Sequence, residues 1–235
     1  MTDPLLIIPG LMQDARAFFP QIVGLGTRHP VQVFVPDGDS AEKLAEQALV
    51  AAPPRFVLIG HSLGGIVALD ILRRAPERVI RLVLLATDPL SEAPQTAAAR
   101  EVRMVAARAG RLKQAIAEDV PVSSLADTPD RQAVLDLVQD MALGLGEGVY
   151  LRQMRAMQRR PDQQKTLRRA TVPALFLTGA AEGVVPLRRQ EFARDLTPTS
   201  VLKVIEGAGH LPMLENPDAV NAAIEAFLTG PMILR

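Results

Sequence analysis

Six short apolar runs punctuate the chain, at residues 5–8, 31–35, 56–60, 80–85, 174–178 and 200–205. Each has the length of a strand. Each is β-branched or Leu-rich at successive positions rather than at every second one. That pattern predicts strands covered on both faces, as in a parallel sheet. Longer stretches between the runs repeat apolar residues at helical spacing, at 41–51, 63–74, 187–195 and 218–228. Ala75-Pro76 stops the second of these, because proline disfavours helix in the residue before it. Asn216-Pro217-Asp218 supplies a start for the last. Strand and helix alternate, which predicts a doubly wound α/β fold with six parallel strands.

The alternation lapses once. From residue 85 to 173 there is no strand pattern, only helical patterns at about 95–109, 112–118, 130–143 and 147–158. Such an insertion is expected to form an all-helical lid, about residues 89–168, over the C-terminal edge of the sheet. Ligands bind at that edge in open α/β sheets. With no repeat and no low-complexity linker, residues 1–235 read as one domain.

Charge and composition narrow the function classes. Twenty-six Lys and Arg balance twenty-six Asp and Glu across 235 residues. That balance argues against nucleic acid or an anionic membrane surface as the main partner. The pairs Arg73-Arg74, Arg159-Arg160 and Arg168-Arg169 read as solvated helix faces. With no cysteine, disulfides and thiolate metal sites are excluded. No run approaches the roughly 20 apolar residues of a membrane span. The opening MTDPLLIIPG lacks a basic n-region and reads as a strand rather than a signal peptide, so the cytoplasm is the expected compartment. Few aromatics and no tryptophan predict a pocket lined by Leu, Met, Val, Ile and Ala.

One segment carries chemistry. In IGHSLGGI, residues 59–66, Ser62 stands between Gly60 and Gly64, directly after an apolar run and at the start of a helical pattern. Gly-x-Ser-x-Gly in that context is the pattern of a nucleophile elbow, a tight turn that exposes the serine at a helix N-terminus. Glycines flank it because side chains there would collide with the turn and the next strand. A phosphate-binding loop would need Lys-Ser/Thr where Ile66 and Val67 stand. A dinucleotide fingerprint would need glycines that Pro9-Gly10-Leu11-Met12 lacks. A plain surface turn is the remaining alternative.

A serine nucleophile needs a base, and there are three histidines. His29 precedes a proline. His61 neighbours the serine, so its side chain is expected to point away from that of Ser62. His210 lies in EGAGHLPMLENP, between the last strand and the last helix, on the same sheet edge as Ser62. It is the candidate base. The acid that orients it should lie between the two in sequence, at a strand end. Glu182 in LFLTGAAEGVVP is the first choice, and Asp88 in LLATDPL is its rival. Backbone N–H groups of Leu11 and Leu63 are the candidate oxyanion donors.

With IIPGLMQDARAF, IGHSLGGIVAL, RLVLLAT, VPALFLTGAAEGVVP and IEGAGHLPMLENP in place, the sequence resembles the α/β-hydrolase superfamily over nearly its whole length. It is most similar to the small bacterial esterase-type members with a four-helix lid. The resemblance implies strand order 2-1-3-4-5-6, all parallel, without the antiparallel strands that often precede this core. Two departures stand out. Pro9-Gly10 replaces the usual His-Gly, and Glu182 occupies the position commonly held by Asp in Gly-x-x-Asp-x-x-x-Pro.

The leading expectation is a serine hydrolase, a carboxylesterase that cleaves a small or medium carboxylic ester without metal or cofactor. Carbon–carbon bond, lactone or perhydrolase chemistry on the same scaffold is one alternative. A non-catalytic ligand- or partner-binding homologue is another. Met104, Met141, Met154 and Met157 read as core first and as an adaptable acyl pocket second. Arg152, Arg155 and Arg159 share a helix face. If they faced inward, an acidic substrate would follow, but a solvent-facing stripe is the plainer reading.

Overall fold

A computed structural model describes residues 2–230. Six strands form one sheet: β1 (Leu5–Ile8), β2 (Val31–Val33), β3 (Phe56–His61), β4 (Val79–Leu85), β5 (Ala174–Gly179) and β6 (Ser200–Ile205). Their order is β2-β1-β3-β4-β5-β6, and every pairing is parallel, as the family resemblance implied. Ile8 pairs with Gly60 and His61 with Leu85, so the ends of the central strands lie level.

Ten α-helices accompany the described strands: α1 (Phe19–Gly26), α2 (Ala41–Ala51), α3 (Leu63–Arg74), α4 (Pro94–Arg108), α5 (Leu112–Asp119), α6 (Arg131–Gln158), α7 (Gln164–Arg168), α8 (Leu187–Leu196), α9 (Pro212–Glu215) and α10 (Pro217–Thr229). Side chains alternate across each strand and build two cores. Leu6, Ile8, Leu58, Leu84 and Phe176 pack against α2, α3 and α8 on one face. Leu5, Ile7, Ile59, Val83 and Leu177 pack against α1 and α10 on the other. That second core continues into the inserted helices through Met104, Ile116, Val138, Met141, Tyr150 and Met154. All four singled-out methionines are therefore core, Met157 belonging to the core on the opposite face.

Caps set the helix starts. The Ser40 hydroxyl accepts from the Lys43 N–H ahead of α2, and Asn216 Oδ1 accepts from the Ala219 N–H ahead of α10. The two patterns expected at 130–143 and 147–158 are merged into α6, but Gly146 breaks it at φ 84°. That angle is open to glycine at no steric cost.

The edge strands correct one expectation. β6 leaves Val201, Lys203 and Val204 exposed, and β2 is only half-buried, so the apolar runs there are not covered on both faces. Short elements with weak periodicity, such as α7 and α9, are not apparent from the pattern. Among the described residues, no helix is long and apolar enough to cross a membrane.

Candidate active site

Every strand but β2 sends a candidate residue to the same end of the sheet. Leu11 follows β1, Ser62 follows β3, Asp88 follows β4, Glu182 follows β5 and His210 follows β6. Leu11, Ser62, Asp88 and His210 line one cavity of about 440 Å³. The inserted segment supplies another wall of it, through Arg100 and Arg103 of α4 and Val120 and Pro121 just after α5.

Ser62 has φ 48° and ψ −111°, a left-handed conformation that a side chain adopts only under strain. Surrounding contacts hold it there. Its N–H donates to the Leu85 carbonyl at 2.9 Å, and its carbonyl accepts from the Gly65 and Ile66 N–H groups. The glycines leave no room for substitution. A Cβ on Gly64 would lie 1.9 Å from the Ile8 oxygen, and one on Gly60 would lie 2.5 Å from the Gly64 oxygen. Backbone crossing, rather than turn angle, is what demands glycine at both positions.

Glu182 meets His210. Its Oε2 lies 2.9 Å and its Oε1 3.1 Å from His210 Nδ1. Oε1 also accepts from the Val184 and Val185 N–H groups, at 2.6 and 3.0 Å. The carboxylate is thus fixed before it reaches the ring. Asp88, the rival acid, turns elsewhere. Its Oδ1 accepts from the Leu90 N–H at 3.1 Å, and its Oδ2 faces Arg160 at 3.4 Å. Ser62 Oγ and His210 form no hydrogen bond with each other, although both border the cavity.

The loop after β1 is pinned on both sides of Leu11. The Gly10 N–H donates to Gln13 Oε1 at 2.9 Å, and the Met12 N–H donates to Gln153 Oε1 at 2.7 Å. Met12 itself sits at φ 52°. Among the described residues, the Leu11 N–H has no hydrogen-bond partner, nor has that of Leu63, the first residue of α3. Gln153 comes from α6, so the insertion shapes this loop directly.

His61 is fully buried, its ring 5.0 Å from that of His210. Its Nε2 lies 2.9 Å from the His210 carbonyl oxygen, which accepts from an Nε2–H tautomer. Burial, followed by the nearby His210, lowers its pKa to about 3, so it stays neutral. A Cβ on Gly10 would strike this ring at 2.6 Å. His29 plays no part here, its Nδ1 lying 2.9 Å from the Asp3 carbonyl oxygen.

Glu215 was not apparent from the sequence pattern. It accepts three backbone N–H bonds, from Ala126, Gly209 and Leu211, at 2.7, 2.9 and 2.8 Å. It thereby ties the loop carrying His210 to the inserted helices. The His210 N–H donates to the Ser124 carbonyl at 2.8 Å, which completes the tie.

The cavity lining overturns the expectation of an apolar pocket. Five arginines border it, Arg100, Arg103, Arg160, Arg188 and Arg189, together with the carboxylates Asp88, Glu92, Glu118 and Asp119. Met157 is the one singled-out methionine on its wall. The Arg152 stripe stays off this cavity: Arg152 is half-buried and paired to Asp37 at 2.6 Å, Arg155 is half-buried and Arg159 is exposed. Two arginine pairs depart from the solvated reading. Arg73 and Arg74 both hold the fully buried Asp70, and Arg160 is only 10% exposed.

A sheet of this order, an elbow serine and a carboxylate-held histidine define an α/β-hydrolase. The chain belongs to the alpha/beta hydrolase family, whose model matches residues 5–223. It is similar to the pimeloyl-[acyl-carrier protein] methyl ester esterase of Klebsiella pneumoniae subsp. pneumoniae, at 30% identity over 81% of this chain and 76% of that one. It is also similar to the biotin biosynthesis bifunctional protein BioHC of Teredinibacter turnerae, at 28% identity over 81% of this chain. The match spans only 36% of that longer protein. Among solved structures, a malate-bound thermophilic esterase from Thermogutta terrifontis superposes with a TM-score of 0.87 at 25% identity, over 97% of this chain and 90% of that one.

Proposed function

We propose that this chain is a serine hydrolase that cleaves a small or medium carboxylic ester through an acyl-enzyme. One observation carries the reading. Ser62, strained at φ 48°, opens onto the same cavity as His210, whose Nδ1 is held 2.9 Å from Glu182. Ester-cleaving relatives support the reaction type.

In this mechanism Ser62 Oγ attacks the ester carbonyl and passes its proton to His210 Nε2. Glu182 holds the ring with Nδ1–H toward itself and stabilises the imidazolium. The N–H groups of Leu11 and Leu63 donate to the oxyanion, since neither has another partner to give up. The alcohol leaves with the proton from His210. Water, activated by the same histidine, then adds to the acyl carbon and releases the acid and free Ser62. Each turnover consumes one ester and one water and yields one acid and one alcohol. The open contact between Ser62 and His210 closes by side-chain rotation when substrate fills the cavity, as catalytic hydrogen bonds commonly do. The inserted helices act as a lid, excluding water from the wall they form.

Labelling with a fluorophosphonate tests this reading. The wild type should be modified at Ser62, as peptide mapping would show, and Ser62→Ala should lose the label. A folded wild type that takes no label and turns over no ester refutes the mechanism.

A further inference from the structure

The cavity holds cations with donors to spare. Arg160 lines it while only 10% exposed, so its guanidinium has given up most of its water. Such a group needs short, directed bonds in return. It does not have them. Its contact to Asp88 Oδ2 is 3.4 Å and its contact to Glu92 Oε2 is 3.5 Å. Its buried Nε makes no hydrogen bond among the described residues. Charge-assisted bonds normally close to about 2.7–2.9 Å. Elsewhere in this chain they do, with Arg152 to Asp37 at 2.6 Å and Arg28 to Glu225 at 2.7 Å.

The two carboxylates near Arg160 are also shared. Glu92 serves Arg100 as well, at 3.3 Å, and Asp88 faces Arg189 at 4.0 Å. Arg100 also approaches Asp119, at 3.9 Å, so Arg100, Arg160 and Arg189 meet their carboxylates at long range on the wall of the cavity that Ser62 lines too. A planar fork with unused N–H donors matches a carboxylate better than any neutral group. A cavity of about 440 Å³ takes a small molecule.

From this arrangement we infer that the substrate is an acidic ester, one that carries a free carboxylate bound by Arg160 while its ester group meets Ser62. The inference rests on the esterase reading and names its substrate class: half-esters of dicarboxylic acids.

The test compares monomethyl succinate, glutarate and adipate with the neutral methyl esters of butanoate, pentanoate and hexanoate. Wild-type kcat/KM should favour the acidic series by at least about tenfold at its best length, since a charge-assisted bond is worth about that much or more. In Arg160→Gln the acidic-to-neutral ratio should fall about ten- to hundredfold. Arg160→Lys should recover part of it. Arg152→Gln, off this cavity, should leave the ratio unchanged. Equal rates on both series in the wild type, or a ratio that Arg160→Gln does not move, overturn the inference.

Calorimetric binding of glutarate separates the two readings. If no ester is turned over, the esterase reading falls. Glutarate binding that is lost in Arg160→Gln still supports the anion site, and no binding to the wild type refutes it. The wild-type selectivity and binding stand as tests even if Arg160→Gln fails to fold.

Discussion

Gly64→Ala separates steric crossing from backbone conformation as the reason for a glycine. The new Cβ would start 1.9 Å from the Ile8 oxygen and 2.5 Å from the Pro9 oxygen. Real Cβ atoms essentially never come within 3.0 Å, so helix and loop must part by at least the difference, 1.1 Å. Neither neighbour is a flexible side chain. Ile8 is the last residue of β1 and pairs with Gly60, while Pro9 leads into the loop of Leu11. Overpacking of this kind costs about 3 kcal/mol, which at this chain length lowers Tm by about 6–12 °C. The displacement also moves the Leu11 N–H relative to Ser62, and a misplacement of about 1 Å costs about hundredfold in rate. Gly110→Ala is the matched control. Gly110 has φ 77°, and a Cβ added there would meet nothing within 4 Å, so only conformational strain of about 1 kcal/mol is expected. Thermal melts and ester kinetics on both variants decide the matter. A Gly64→Ala protein that melts with the wild type and keeps half its activity would refute the crossing argument.

Glu182→Gln should lower ester kcat/KM by about 10³, because the amide cannot stabilise the imidazolium. The loss should exceed that of Asp88→Asn by at least about tenfold, and equal losses would return the acid role to Asp88. His61 has a folded pKa of about 3 against an ordinary value of 6.5, so on acidification the unfolded chain binds its proton first. Its contribution to stability is therefore present above pH 6.5 and drains away as pH falls toward 3, by at most about 1.4 kcal/mol per pH unit. Urea unfolding from about pH 7 to about pH 5 should show a shallower acid loss in His61→Gln, and an unchanged slope would count against the burial argument.

Local pattern sufficed for much of this molecule. Strand runs, the elbow at Ser62 and the separation of helical patterns at 130–143 and 147–158 all follow from backbone geometry, which acts over a few residues. Chain order put Ser62, Glu182 and His210 after β3, β5 and β6. A doubly wound sheet carries such ends to one edge, so Glu182 is the first choice to meet His210, and Asp88, at the end of β4 on the same edge, is a rival that chain order alone does not remove. What removes it is where Asp88 turns: its carboxylate accepts from the Leu90 N–H and faces Arg160, 72 positions away, rather than His210. Glu215 and Gln153 carry no local signal for a similar reason. Each looks like an ordinary polar residue on a helix until the loop it binds arrives from a distant part of the chain.

The cavity lining was decided by tertiary structure alone. Arg100, Arg160 and Arg189 lie on or beside three different helices, and no local period tells which face of a helix turns toward a neighbour's carboxylate. Composition pointed to an apolar pocket because apolar residues are abundant. The sheet and inserted helices consumed those residues in their two cores, and the charged side chains were left to line the space between them. Periodicity determines which segments fold and how they layer. The rotation and register of packed elements determine which side chains share a cavity, and that information is spread over contacts far apart in sequence.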